Sequence, residues 1–390
     1  MQVTQVAIDG FGLYVHIPYC RTKCPYCDFN VRAGPWWPES RYVDALVAEL
    51  AHYAACAPFA GQRLDTVFFG GGTPSLFSVA SIERVLGAAR DSFPRAADIE
   101  VSLEANPESV SLEALEGYRR AGVNRLSFGI ESFQPHVLKQ LGRLQTAAQT
   151  LAAVPLARAA GFDNVSVDLM FAVPGQSLGD WREDLDRAVA DAPAHLSAYN
   201  LTYEEGTPFF ELRRSGRIVA VDDDVEASMF EEARDRLGAA GYAAYEVSNF
   251  ARPGFESRHN LNYWHAGAYL GIGAGSHSHE PRGARAKRWS NEREPLTYLG
   301  RVAARGEAVV GDETLDVPAA GGEFVFLHLR TSDGLPEDRF VDRFDARVEE
   351  LFPQIARMFD EGLLERPRPG RIALTRRGLL LADSVFASFL

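Results

Sequence analysis

Between residues 11 and about 210, apolar or alternating runs recur with a regular beat, each followed by Gly, Asn or Pro and then by an amphipathic helical stretch. The runs are LYVHI (13–17), DTVFFG (65–70), IEVSLEA (99–105), NRLSFGI (124–130), NVSVDLMF (164–171) and HLSAYNL (195–201). Between them lie segments such as LEALEGYRRAG and DWREDLDRAVADA, whose apolar residues recur at helical spacing. Strands alternating with helices make βα units and a parallel sheet. Six such units fit a doubly wound sheet or a partial barrel related to the eight-stranded one. The polar residues favour the barrel. A cysteine-rich loop follows the first run and GGGTP the second, while Glu104, Glu131 and Asp168 sit at or near the ends of the next three. Reactive side chains at the ends of several different strands are what a barrel mouth presents. The expected fold is therefore α/β: a partial (β/α)6 TIM-like barrel followed by a smaller mixed α+β C-terminal domain.

The beat stops near residue 210. The expected divisions are an N-terminal segment 1–10, the barrel 11–215, an α+β extension 216–310 rich in Gly, His and aromatics, and a helical, winged-helix-like part 311–390 containing RIALT. A net charge of −13 argues against nonspecific nucleic-acid binding, which requires a basic surface. The C-terminal apolar run GLLLADSVFASFL has 13 residues, short of the roughly 20 that span a membrane. MQVTQVAIDGFG lacks a basic region followed by an apolar core, so it does not read as a secretory signal. A cytoplasmic location follows as an expectation, with membrane contact at most peripheral.

Three of the four cysteines, Cys20, Cys24 and Cys27, fall within HIPYCRTKCPYCDF in the pattern C-x3-C-x2-C. In a cytosolic chain such a cluster reads as metal or catalysis rather than as a disulfide framework. Cys56 stands apart in SRYVDALVAELAHYAACAP and is expected as a buried small hydrophobe on a helix. Structural zinc sites want four ligands, often as two C-x2-C pairs, and no second pair exists; a zinc ion completed by a distant His is the alternative. Three thiolates on a 4Fe–4S cluster leave one iron open, which is useful only where something binds there.

C-x3-C-x2-C with an aromatic, Tyr26, before the last Cys resembles the signature of the radical S-adenosylmethionine (SAM) superfamily. That resemblance implies a 4Fe–4S cluster whose open iron is chelated by SAM, reductive cleavage of SAM to a 5′-deoxyadenosyl radical, and a partial-barrel fold. FFGGGTPSLF (68–77) runs from a strand through glycines into a helix. Glycines let backbone approach a ligand, and free N–H groups there can meet a carboxylate; in the superfamily this loop contacts the methionine part of SAM. GLYVHIPYC, GGGTP, EANP, LSFGIESF and DLMFAVPGQ narrow the likeness to the branch holding oxygen-independent coproporphyrinogen III oxidase and the HemW haem chaperones. There, Tyr14, Tyr26, Gly71, Gly72, Thr73, Glu104, Arg143 and Asp168 match SAM-contacting positions. Glu131 stands where the branch usually has Gln, keeping an acceptor while losing the amide donor and adding charge. Gln145 replaces a His.

Within that branch the oxidase carries a further cysteine two residues past the third, where this chain has Phe29, and a longer N-terminal extension. RHNLNYW (258–264) is similar to the H-N-x-x-Y-W motif of the haem chaperones. A His flanked by large aromatics suits haem, which makes His259 the candidate axial ligand. His277 and His279 in HSHE are secondary metal candidates on one strand face. The resemblance implies a protein that binds haem and passes it to membrane-bound haem proteins, with homodimerisation among its implied properties. Methyl transfer or cyclopropanation with a second SAM, and less so the oxidase reaction, are the rival readings.

Overall fold

The computed structural model describes residues 10–390; the expectations for the N-terminal segment otherwise lie outside the described residues. Six strands run parallel and side by side in chain order: β1 (Phe11–Ile17), β2 (Leu64–Gly71), β3 (Arg95–Ala105), β4 (Arg125–Glu131), β5 (Asn164–Phe171) and β6 (His195–Asn200). Each of the six runs read from the sequence is one of these strands. The connecting helices include α1 (Glu39–Ala54), α2 (Val79–Ser92), α3 (Leu112–Ala121), α4 (Ala147–Ala159) and α5 (Leu178–Ala190). Side-chain caps mark several starts. Ser78, Ser111, Thr146 and Ser177 each accept a backbone N–H in the first turn, a contact typically worth about 1 kcal/mol.

The strand alternation explains both the core and the cavity. One set of positions, including Leu13, Val15, Val67, Phe69, Leu103, Phe128, Val167 and Leu196, is buried in the main apolar cluster. The alternate set is polar: Thr66, Ser102, Glu104, Arg125, Ser127, Ser166, Asp168 and Ser197. An eight-stranded barrel fills its interior with branched apolar side chains. Here hydroxyls and charges take those positions, and the interior is left open as the two cavities described below.

The sheet continues past the barrel. β7 (Asn249–Ala251) pairs antiparallel with β6. On the other side β8 (Tyr269–Ile272) lies parallel to β1, and β9 (His277–Arg282), β10 (Arg285–Asn291) and β11 (Val309–Leu315) follow antiparallel. Residues 216–310 thus extend the barrel sheet at both edges. A second apolar cluster, with Phe324, Phe340, Phe344, Phe352 and Phe386, gathers the C-terminal helices around the antiparallel strands Leu335–Pro336, Leu364–Arg368 and Arg371–Leu374. No helix among the described residues is long and apolar enough to cross a membrane.

Cys56 departs from expectation. α1 ends at Ala54, so Cys56 lies in the following turn, partly exposed, with its Sγ 3.9 Å from His52 Nε2. Pro58 disfavours helix at the residue before it, and the helix closes early.

Candidate functional site

At the C-terminal ends of the strands an open cavity of about 360 Å³ is lined by Cys20, Cys24 and Cys27 together with Gly71, Gly72, Thr73, Tyr26, Glu104, Glu131, Arg143 and Asp168. Tyr14 and His259, also expected from the sequence, lie elsewhere and border a second, inner chamber.

All three clustered cysteines are partly exposed free thiols. Among the described residues, no group of three or more His, Cys, Asp or Glu side chains is arranged to hold a metal ion. Two of the thiols have polar neighbours. Thr73 Oγ1 donates to Cys20 Sγ at 3.5 Å, and Arg143 Nη1 stands 3.9 Å from Cys24 Sγ. Burial raises the Cys20 thiol and lifts Cys27 to about 11. Free thiols there keep their protons until a metal displaces them.

The glycine loop works differently from expectation. Gly72 N–H donates to Ile17 O at 2.8 Å and Thr73 N–H to Tyr19 O at 2.9 Å, while Gly71 N–H donates to Glu104 Oε2 at 3.2 Å. Those N–H groups are engaged, so the loop offers no free N–H nest. Its glycines instead permit contact: Gly71 has φ +108, and a Cβ at Gly72 would lie 2.6 Å from Tyr19 O. This close approach seats the loop against the start of the cysteine segment.

Arg143 is the hub of the outer wall. It donates to Asn106 Oδ1 at 2.8 Å and Gly129 O at 2.7 Å, lies 3.6 Å from the Glu131 carboxylate, and is braced by Gln145 Oε1 at 3.0 Å. Gln145, where the branch has His, thereby orients the guanidinium. Glu131 sits at a left-handed φ of 62, and burial raises its carboxyl against the pull of Arg143. Asp168 accepts from Ser127 at 2.8 Å, Ser166 at 3.2 Å and Ser197 at 2.6 Å. Burial raises Asp168 too, and it pushes Glu104 up to about 8, with the Asp168 charge adding to the effect. The outer cavity thus sets Glu104, Glu131 and Asp168 near Arg143 with their carboxyls raised, an arrangement in which a cationic ligand would favour the ionised forms.

The inner chamber, about 170 Å³, shares Glu104, Ser127, Asp168 and Tyr199 with the outer one and is otherwise walled by Tyr14, Phe68, Arg125, Tyr263 and their neighbours. Sequence reading missed Arg125, Ser127, Ser197 and Asn106. The first three occupy inward positions of strands already identified, so period-2 alternation carried the signal. Tyr14 OH contacts His16 Nδ1 at 3.1 Å, and its ring stacks on Phe68.

The H-N-x-x-Y-W segment forms a short helix, α6 (Arg258–Trp264), that closes the opposite end of the barrel. Glu100 on β3 accepts from the backbone N–H groups of Arg258 at 3.0 Å and His259 at 3.1 Å, a carboxylate on a helix N-terminus. The His259 ring is 1% exposed and stacks on Phe68 at 5.2 Å. Its Nδ1 is hydrogen-bonded to Thr66 Oγ1 and its Nε2 to Tyr263 OH, both at 2.7 Å. Burial holds it near 3 and therefore neutral. Both nitrogens are engaged within the protein, so in this arrangement His259 offers neither of them to an iron. The secondary pair is also separated: His277 is exposed, while buried His279 contacts Gly267 O at 2.8 Å and lies 3.4 Å from Glu323.

Comparison with known proteins places this geometry. Residues 14–188 match the family described as the radical SAM superfamily, and residues 315–381 match the HemN C-terminal domain. The chain is 40% identical over 384 residues to heme chaperone HemW of Mycobacterium tuberculosis, covering 97% of this chain and 95% of that one. It is 36% identical to the Escherichia coli protein of that name, covering 99% of each. Among solved structures, coproporphyrinogen III oxidase HemN of Escherichia coli, a radical SAM enzyme, superposes with TM-score 0.82 at 25% identity over 97% of this chain and 90% of that one. The chain belongs to the HemW heme chaperone family of the radical SAM superfamily.

Proposed function

We propose that this protein binds haem and delivers it to membrane-bound haem proteins from the cytoplasm, while keeping a 4Fe–4S cluster on Cys20, Cys24 and Cys27 and a SAM site beside it. The observation that carries the reading is identity of 34–40% to proteins named heme chaperone HemW over 97–99% of the chain. Phe29 in place of the oxidase's extra cysteine points the same way. When bound, the cluster supplies an open iron to chelate SAM and an electron for its sulfonium. The chain's own residues do the positioning. Arg143 and Thr73 stabilise thiolates, and Glu104, Glu131 and Asp168 face the cationic and hydroxyl groups of the ligand.

The test is a titration: the anaerobically reconstituted protein is expected to bind haem stoichiometrically and not to decarboxylate coproporphyrinogen III with SAM and reductant. Absence of haem binding would sink the chaperone reading, and catalytic turnover would restore the oxidase.

A second expectation follows from Glu104. With its carboxyl raised to about 8, it is largely protonated at pH 7, and a cationic ligand favours the ionised form. SAM binding is then accompanied by proton release. Its affinity is expected to rise by up to about tenfold per pH unit towards pH 8 and level off above. Calorimetry in two buffers of different ionisation enthalpy measures the released proton. A flat pH profile in the wild type, or an unchanged rise in Glu104→Gln, would remove Glu104 from this role.

A further inference from the structure

The geometry points to the lip of the outer cavity, not the His259 chamber, as the surface on which haem docks. This rests on the reading that the chain carries haem. The inner chamber, at about 170 Å³, is smaller than the roughly 300 Å³ at which small-molecule pockets begin, and α6 closes it from below. The lip is open and its chemistry is unusual for this chain. Phe29 is 61% exposed and Leu144 51% exposed, and both border the cavity. Apolar side chains left in water around a cavity mark a binding surface.

The two residues belong to abutting loops. Phe29 follows the cysteines, Leu144 follows Arg143, which reaches Cys24, and a Cβ on neighbouring Gly142 would lie 2.9 Å from Pro25 Cδ. On the same lip stand Arg21 and Lys23, exposed and in no ion pair among the described residues. In a chain of net charge −13, two unpaired cations beside an apolar patch are a specific combination. Haem has the complementary form: a flat apolar macrocycle with two carboxylates on one edge. Asp28 and Glu204 also border the cavity, so the propionate edge is directed to the 21–23 end and the macrocycle lies on Phe29 and Leu144. Docked this way, the cargo covers the entrance to the SAM site.

Haem is titrated into the reconstituted full-length chain, read by tryptophan fluorescence quenching and by haem retained on gel filtration, with iron and sulfide content measured for every variant. Phe29→Ser/Leu144→Ser is expected to weaken haem binding at least about tenfold, and Arg21→Ser/Lys23→Ser about tenfold. Haem dimethyl ester, with its propionates blocked, is expected to bind the wild type about tenfold more weakly and to be indifferent to the cation substitutions. Haem affinity unchanged in both double variants overturns the assignment, and so do equal affinities of the wild type for haem and its dimethyl ester. The ester arm needs no substitution and stands even where a variant loses its cluster. Retained haem affinity with lost binding to anionic phospholipid vesicles would make the lip a membrane contact instead. A wild type that binds no haem at all fails the chaperone reading itself, an outcome distinct from these.

Discussion

Chains carrying Cys20→Ala, Cys24→Ala or Cys27→Ala are expected to emerge from anaerobic reconstitution with iron and sulfide at background, whereas Cys56→Ala reconstitutes as the wild type does. The three thiols line one cavity, and each has a distinct neighbour: Thr73 on Cys20, Arg143 on Cys24, and the backbone of Phe29 on Cys27. With one iron already left to an external ligand, removing any thiol leaves two ligands, too few to hold a cluster that no fourth protein ligand completes. Cys56 sits in the turn after α1 and does not border the cavity. Iron, sulfide and visible absorbance are the readouts. Cluster lost from Cys56→Ala, or retained after loss of any one of the other three, would change the ligand set.

The sequence made the barrel legible because its strands carry apolar residues on the helix-facing side at a strict period of two, a local pattern that survives without knowledge of neighbours. The cysteines, the glycine loop and the acids were legible for a related reason: each lies at or close to where a strand hands over to its loop. What escaped was long-range. Arg125 reads as one more charge at a strand start, and only the assembled sheet shows it turned inward beside Glu104 and Asp168. The Gly72 and Thr73 N–H groups looked available because their acceptors, Ile17 O and Tyr19 O, come from a strand about 55 residues earlier. The H-N-x-x-Y-W motif was recognised, but its placement depends on Thr66 and Glu100, separated from it by 193 and about 160 residues. Local spacing identifies a helix; it does not say which hole the helix stops.

His259→Ala is accordingly expected to act on stability before it acts on cargo. The substitution removes two buried hydrogen bonds and strands the Thr66 and Tyr263 hydroxyls, each orphan costing about 1–3 kcal/mol. It also opens a void against Phe68, and the total is about 4 kcal/mol. His259→Phe fills the void but leaves the hydroxyls unpaired, so it recovers only part of the loss. The comparison with wild type carries its own pH signature. The folded wild type holds His259 near 3, below the ordinary value of 6.5, so the unfolded chain binds the proton first and acid costs the wild type stability that the alanine variant does not lose. The gap between the two is therefore full above pH 6.5 and narrows by about 1.4 kcal/mol per unit as pH falls towards 3. By pH 5 roughly half of it is gone. Denaturant unfolding of both proteins at pH 7.5 and pH 5 measures the gap. A gap that stays constant or widens on acidification would mean that His259 is not the buried neutral plug described here. A variant as stable as the wild type, yet unable to bind haem, would return the residue to the role of iron ligand.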